Sequence, residues 1–118
     1  MRNVKVLLSA IFLILPAVAF ATGAIAIDEQ QGDDEPGYGI SVGQDDKDAA
    51  QRAAMTECRK AGNNNCKVRV WFEGCGAYAS SSKHYGIGYG KTLKIAEKKA
   101  LDACGQSSCE VKVSDCDE

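Results

Sequence analysis

One stretch of this sequence decides the fold, because the chain contains it twice. Residues Tyr85–Cys116 begin with YGIGYG, continue as a helical segment ending at Cys104, and close with CEVKVSDC. Residues Tyr38–Cys75 begin with YGISVG, continue as a helical segment ending at Cys58, and close with CKVRVWFEGC. A repeated supersecondary unit accounts for this pattern.

Each copy predicts two strands, a helix and a third strand. The short block Gly-Ala-x-Ala precedes each copy, at Gly23–Ala26 and at Gly76–Ala79, and predicts the first strand of each unit. Alanine and cysteine at helical spacing predict helices over 47–60 and 92–104. The predicted fold is α+β, a duplicated ββαβ unit with a mostly antiparallel six-stranded sheet, two helices and three disulfides. The predicted strands are 23–27, 38–43, 66–73, 77–80, 84–90 and 109–114.

The first twenty residues have the composition of a secretory signal peptide. Arg2 and Lys5 precede an apolar run, and Ala19–Ala21 carries the small residues that signal peptidase requires. A transmembrane anchor usually has a longer apolar run, and cleavage leaves no stable membrane anchor. The predicted segments are a cleaved signal peptide (1–21) and one disulfide-stapled α+β domain (22–118) made of two repeats (about 23–75 and 76–116).

The charge balance argues against nucleic acid as a partner. Without Arg2 and Lys5, 12 of the 14 basic residues stand against 16 acidic residues, a net charge of about −4. No basic block is long enough to neutralise several phosphates. We therefore expect no nucleic acid among the partners.

Six cysteines, all after the signal peptide, predict three disulfides in an exported domain. Zinc is the alternative, but the chain has no CxxC spacing and only one histidine. In each copy one cysteine ends the helix and the next opens a strand, which favours a local pair. The two cysteines left over are taken as equivalent positions of the copies, joined across an approximate two-fold axis. The predicted pairs are Cys58 with Cys66, Cys104 with Cys109, and Cys75 with Cys116.

Several patterns approach known catalytic or ligand-binding motifs. Gly86–Thr92 has three residues where the phosphate-binding Walker pattern has four, so close packing explains its glycines better. Ser80–Lys83 matches the Ser-x-x-Lys of penicillin-binding enzymes without their further motifs. The acidic groups at 33–35 and 45–48 lack the alternating ligands of a calcium loop. His84 is the candidate acid-base group, with a solvent-facing strand residue as the alternative. We expect no cofactor and no metal.

A surface is the remaining candidate site. Strand alternation places Val68, Val70 and Phe72 on one face of the third strand and its basic and aromatic residues on the other. The four tyrosines are expected either on a sheet face or in the core between the copies. Aromatic and basic side chains are typical of protein-binding patches. The candidate binding residues are Trp71, Arg69, Lys67, Tyr78, Tyr85 and Tyr89.

Taken together, these features resemble the small secreted bacterial proteins of the domain of unknown function 4189 family. The resemblance rests on the Tyr-Gly-x-x-x-Gly blocks at Tyr38 and Tyr85, the Ala-x-x-x-Ala-x-x-x-Cys helices, and the block CGAYA at Cys75. It covers essentially the whole mature chain and brings no catalytic residues with it. What it implies is export, disulfides and a role outside the cytoplasm.

The hypothesis from sequence is an exported, non-enzymatic binding protein of the bacterial envelope, periplasmic or secreted. Its expected partner is another protein, which it recognises as an inhibitor or immunity protein. Two alternatives stay open. One is a secreted effector acting on a host or competitor, and the other is a small hydrolase that uses His84.

Overall fold

The computed structural model describes residues 21–31 and 34–117, so the predicted signal peptide lies outside the described residues except for Ala21. In this part of the chain no helix combines the length and apolar character needed to cross a membrane. Predicted and observed element boundaries agree to within two residues. The elements are β1 (Thr22–Asp28), β2 (Gly37–Gln44), α1 (Lys47–Lys60), β3 (Lys67–Glu73), β4 (Cys75–Ser81), β5 (His84–Gly90), α2 (Leu93–Cys104) and β6 (Glu110–Cys116).

Within residues 21–31 and 34–117, six strands form two antiparallel sheets of three strands each. The first sheet has the order β2-β1-β3 and the second has the order β5-β4-β6. Each sheet therefore contains the three strands of one sequence copy. This confirms the α+β class and the duplicated ββαβ unit, but the six strands are divided between two sheets instead of sharing one.

These two sheets pack face to face, and each helix covers the outer face of its own sheet. Along β1, Ala24 and Ala26 face α1, whereas Ile25 and Ile27 face the second sheet. Strand β1 lies against β4, β2 against β6 and β3 against β5, as an approximate two-fold axis between the repeats requires. The central strands are consequently buried on both faces.

Glycine at alternate positions of β2 and β5 lets the helices pack on the strand backbone. A Cβ atom on Gly86 would lie 2.2 Å from the carbonyl oxygen of Ala100, and one on Gly39 would lie 2.2 Å from the amide nitrogen of Cys58. No larger residue fits without moving the helix. Close packing thus accounts for the glycines of the Walker-like stretch.

Helices α1 and α2 each begin with a capping side chain. The Asp46 carboxylate accepts a 2.8 Å hydrogen bond from the amide of Ala49 at the start of α1. At the start of α2, the Thr92 hydroxyl accepts a 3.1 Å bond from the amide of Ile95. These bonds satisfy amide groups that the first helical turn leaves without partners.

Three disulfides link the cysteines in the predicted pairs, but the symmetry argument for one of them is wrong. Cys75 and Cys116 lie opposite each other on β4 and β6 of the second sheet. Their counterparts in the first sheet are Thr22 and Glu73, which occupy the same paired position. The bond therefore lies within the second repeat and does not cross the two-fold axis, because Cys75 opens that repeat. The remaining disulfides are Cys58–Cys66 and Cys104–Cys109.

Strands β3 and β6 each contain one extra residue at the same place. Val70 lies opposite Ile25 and Val68 opposite Ala26, so Arg69 bulges out of the ladder. Lys112 bulges in the same way from β6. The expected alternation along β3 is therefore wrong, since the bulge turns Val68 toward α1 while Val70 faces the second sheet.

Candidate functional site

The predicted binding residues divide between the core and the surface. Tyr78 was predicted on a binding surface, but it is fully buried because it projects from central strand β4 toward the first sheet. Its ring lies against Tyr38, with centroids 4.6 Å apart, and near the half-buried Tyr85. Tyr89 and Trp71, in contrast, are 49% and 42% exposed. The core interpretation therefore holds for Tyr78, and the surface interpretation holds for Tyr89.

One groove brings the exposed members of the predicted set together. It has a volume of about 550 Å³ and lies along the edge strands β3 and β5, which face each other across the two sheets. Lys67 is exposed at the start of β3 but does not line the groove. We refer to this feature as the edge groove, lined by Arg69, Val70, Trp71, Phe72, Glu73 and Tyr89.

Trp71 is held at the edge groove by its neighbours. Its backbone lies opposite Ala24 in the ladder with β1. The ammonium group of Lys47, the first residue of α1, lies 5.2 Å from the centre of the indole ring. At this distance a cation is attracted to the electron-rich face of the ring. The indole therefore contacts a cation of the chain itself and is still 42% exposed.

Arg69 connects the two sheets at the edge groove. Its guanidinium forms an ion pair with Glu29, whose carboxylate also accepts a 2.8 Å hydrogen bond from the Tyr85 hydroxyl. Burial raises the pKa of Tyr85, and the hydrogen bond to Glu29 acts in the same direction. The basic group predicted for recognition is thus already engaged with a carboxylate of the chain itself.

The loop between β1 and β2 closes one end of the core between the sheets. The Tyr78 hydroxyl donates a 3.0 Å hydrogen bond to the carbonyl of Pro36, and Ser80 donates a 2.8 Å bond to Glu35. Lys112 also lies 3.5 Å from the Glu35 carboxylate. Burial raises the pKa of Tyr78 to about 12, and the nearby Glu35 carboxylate adds to the effect.

Asp28, at the end of β1, is a buried polar residue that the sequence analysis missed. Its carboxylate accepts hydrogen bonds from the amide of Gln30 (2.8 Å), the side chain of Gln31 (2.7 Å) and the amide of Asn65 (3.1 Å). Burial alone raises the pKa of this carboxyl group, but the hydrogen bonds outweigh it and the pKa is lowered. Asp28 therefore fixes the loop between α1 and β3. The sequence does contain a signal for this residue: the second copy has Ser81 at the equivalent position, so the carboxylate belongs to the first repeat alone.

His84 lies exposed at the start of β5. Its Nδ1 atom is 3.2 Å from the carbonyl oxygen of Ser82. Within the described ranges its ring has no hydrogen bond to a carboxylate or a serine hydroxyl. A search of the same residues finds no cluster of three or more histidine, cysteine, aspartate or glutamate side chains arranged to hold a metal ion.

Comparisons with known proteins give one match. The family model described as "domain of unknown function (DUF4189)" matches residues 22–116, which contain all eight elements of the fold. Searches of the curated proteins and of the solved structures found no match. The edge groove is therefore interpreted from its own chemistry.

Proposed function

The chain belongs to the family of the domain of unknown function DUF4189, which brings no established function with it. From the geometry of the chain itself, we propose that it is an exported, non-enzymatic protein of the bacterial envelope that binds another protein. The single observation that carries the proposal is the edge groove. There Trp71 and Tyr89 are both more than two-fifths exposed beside Arg69. Tryptophan, tyrosine and arginine dominate the binding energy of protein interfaces.

Contacts within the groove support the same proposal. Trp71 contacts Lys47 and Arg69 pairs with Glu29, and each exposed contact of this kind is worth up to about 1 kcal/mol, so these two side chains are partly ordered before a partner binds. A surface that is ordered before binding loses less conformational entropy in the complex. An inhibitor or immunity protein, which must neutralise its target tightly, benefits from such a surface.

Disulfide content is compatible with a location in the periplasm or outside the cell. The described residues hold three disulfides and no free cysteine. Such bonds form and persist in oxidising compartments. We therefore propose that the protein acts after export.

Affinity capture with matched variants tests the proposal. The disulfide-bonded protein and its Trp71→Ala variant are used to capture partners from periplasm and from culture supernatant, and the bound proteins are identified by mass spectrometry. We expect Trp71→Ala to weaken binding of a stoichiometric partner by about tenfold or more. Leu101→Ala is the control, because Leu101 is 38% exposed on α2 and does not line the edge groove.

Either of two results would count against the proposal. A partner that binds Trp71→Ala as tightly as the wild type does not use the edge groove. Recovery of no partner from either compartment would favour the effector, which acts on a host or competitor. The hydrolase alternative is tested separately, because hydrolytic activity that persists in His84→Ala does not depend on that residue.

A further inference from the structure

The two repeats differ in charge at the surface between the helix and the third strand. In the second repeat, Ser114 of β6 donates a 2.6 Å hydrogen bond to Glu97 of α2. Lys98 of the same helix forms a 3.0 Å ion pair with Asp102. One hydrogen bond therefore joins the helix to the strand on this surface, and the Lys98 cation has a carboxylate partner on its own helix.

At the corresponding positions of the first repeat, neutral residues replace both carboxylates. Gln51 takes the place of Glu97, and Thr56 takes the place of Asp102. The Thr56 hydroxyl donates instead to the carbonyl of Arg52. Arg52 and Arg59 both lie exposed, and neither forms an ion pair with any residue that the structure describes. Arg52 therefore lacks the partner that Lys98 has in the second repeat, and Arg59, whose counterpart is Gly105, adds a second cation to this surface.

These arginines border a second groove, between α1 and β3. Its volume is about 340 Å³. Met55 and Val68 form an apolar floor, since both are partly buried against the core under α1. Arg52 and Arg59 lie seven residues apart, about 10 Å along the helix axis. We call this the helix groove, lined by Gln51, Arg52, Met55, Thr56, Arg59 and Val68.

We propose that the helix groove binds an acidic extended segment of a partner protein. An apolar side chain of the segment covers Met55 and Val68, and carboxylates on either side of it pair with Arg52 and Arg59. An extended chain advances about 3.3 Å per residue and alternate side chains share a face, so carboxylates two residues before and two residues after the apolar residue lie about 13 Å apart. Two long arginine side chains, whose positions on the helix are about 10 Å apart, can reach carboxylates at that separation. Arginine is suited to this role because its planar fork binds a carboxylate through two hydrogen bonds.

Titration with a matched pair of peptides tests this inference. The probe is a capped peptide with one leucine flanked on each side by two glutamates, and the matched peptide has glutamine in place of every glutamate. Binding to the isotopically labelled, disulfide-bonded protein is followed by NMR. We expect saturable shifts at Arg52, Met55, Arg59 and Val68 with the acidic peptide only. Added salt is expected to weaken the binding, because the carboxylates and guanidinium groups are exposed.

Variants of each groove separate the two proposals. Arg52→Gln with Arg59→Gln is expected to weaken peptide binding at least tenfold, while Lys98→Gln at the counterpart of Arg52 leaves it unchanged. Tyr89→Ala alters only the edge groove and is expected to leave peptide binding intact. Equal binding of the glutamine peptide, no saturable shift at millimolar peptide, or unchanged affinity in the double variant would overturn the inference. None of these results bears on the edge groove.

Discussion

Replacing Asp28 by asparagine tests the organisation of the fold most directly. The substitution keeps the size of the side chain but removes one acceptor oxygen and the charge. Oδ1 accepts from the amide of Gln30, and Oδ2 accepts from both Gln31 and Asn65. The asparagine oxygen can occupy the Oδ2 position and keep the bonds from Gln31 and Asn65, while its NH2 group then faces the amide of Gln30. One of the three hydrogen bonds described for Asp28 is therefore lost, and the other two no longer involve a charged acceptor.

The expected change in the free energy of unfolding follows from the number and kind of these hydrogen bonds. A hydrogen bond to a charged group contributes about 1.5 to 3 kcal/mol. One such bond is lost and two are weakened, so we expect Asp28→Asn to reduce the free energy of unfolding by about 2 kcal/mol at pH 7. Asp34→Asn is the control, because Asp34 is an exposed carboxylate in the same loop; we expect a change within about 0.5 kcal/mol.

Urea unfolding with the disulfides intact, repeated across pH, is the assay. The pKa of Asp28 in the folded protein lies below its ordinary value of 3.8, so the ionised carboxylate stabilises the fold. That stabilisation is fully present above the unfolded pKa and is lost as pH falls through the folded pKa. The difference between wild type and Asp28→Asn should therefore shrink below about pH 4. A difference under about 1 kcal/mol at pH 7, or one that persists unchanged at acid pH, would refute the reasoning.

Other predictions concern the core between the sheets and one disulfide of the second sheet. Gly76→Ala places a Cβ atom 2.4 Å from the Phe72 ring and is expected to lower the free energy of unfolding by about 1 to 3 kcal/mol. Phe72→Leu in the same chain should restore part of that loss. If the losses of the two single variants simply add in the double variant, the contact is not the cause. Serine at both Cys75 and Cys116 opens a disulfide between residues 41 apart and is expected to lower the free energy of unfolding by about 4 kcal/mol, seen as a lower urea midpoint. Tyr78→Phe removes a hydroxyl hydrogen bond and is expected to cost about 1 kcal/mol at pH 7. Because the pKa of Tyr78 is raised to about 12, its neutral form stabilises the fold below pH 10 and this contribution is lost as pH rises from about 10 to 12; the variant should lose that part of the alkaline transition, measured by near-ultraviolet circular dichroism.

Local sequence patterns predicted the helices and strands of this fold well, because the chain contains the same pattern twice, once in each repeat. Alanine spacing predicts α1 and α2, and the short loops after Cys58 and Cys104 favour disulfides to the nearby Cys66 and Cys109. The division into two sheets was not predictable in this way. Strand pairing depends on which strand edges meet in space, and the same six strands are compatible with one sheet or two.

The burial of individual side chains also depends on which strands pair with each other, and the sequence does not show this. Tyr78 and Tyr89 are the same residue type on neighbouring strands, yet one lies on central strand β4 and the other at the end of edge strand β5. The sequence does not indicate the bulge at Arg69 either. An extra residue in the strand leaves the alternation of polar and apolar residues unchanged, but the side chains on the two sides of the bulge exchange faces of the sheet.

The arrangement of the two repeats has a consequence for stoichiometry. A symmetric pair of identical chains would present every surface feature twice, on opposite sides, and would recruit two copies of any ligand. Here the two halves are joined in one polypeptide through Gly74, between β3 and β4, so their surfaces need not be identical. A substitution such as threonine for aspartate then changes one side only. The protein can therefore keep a symmetric interior while the charges on the outer surfaces of the two repeats differ, and a ligand that recognises those charges would bind on one side of the molecule.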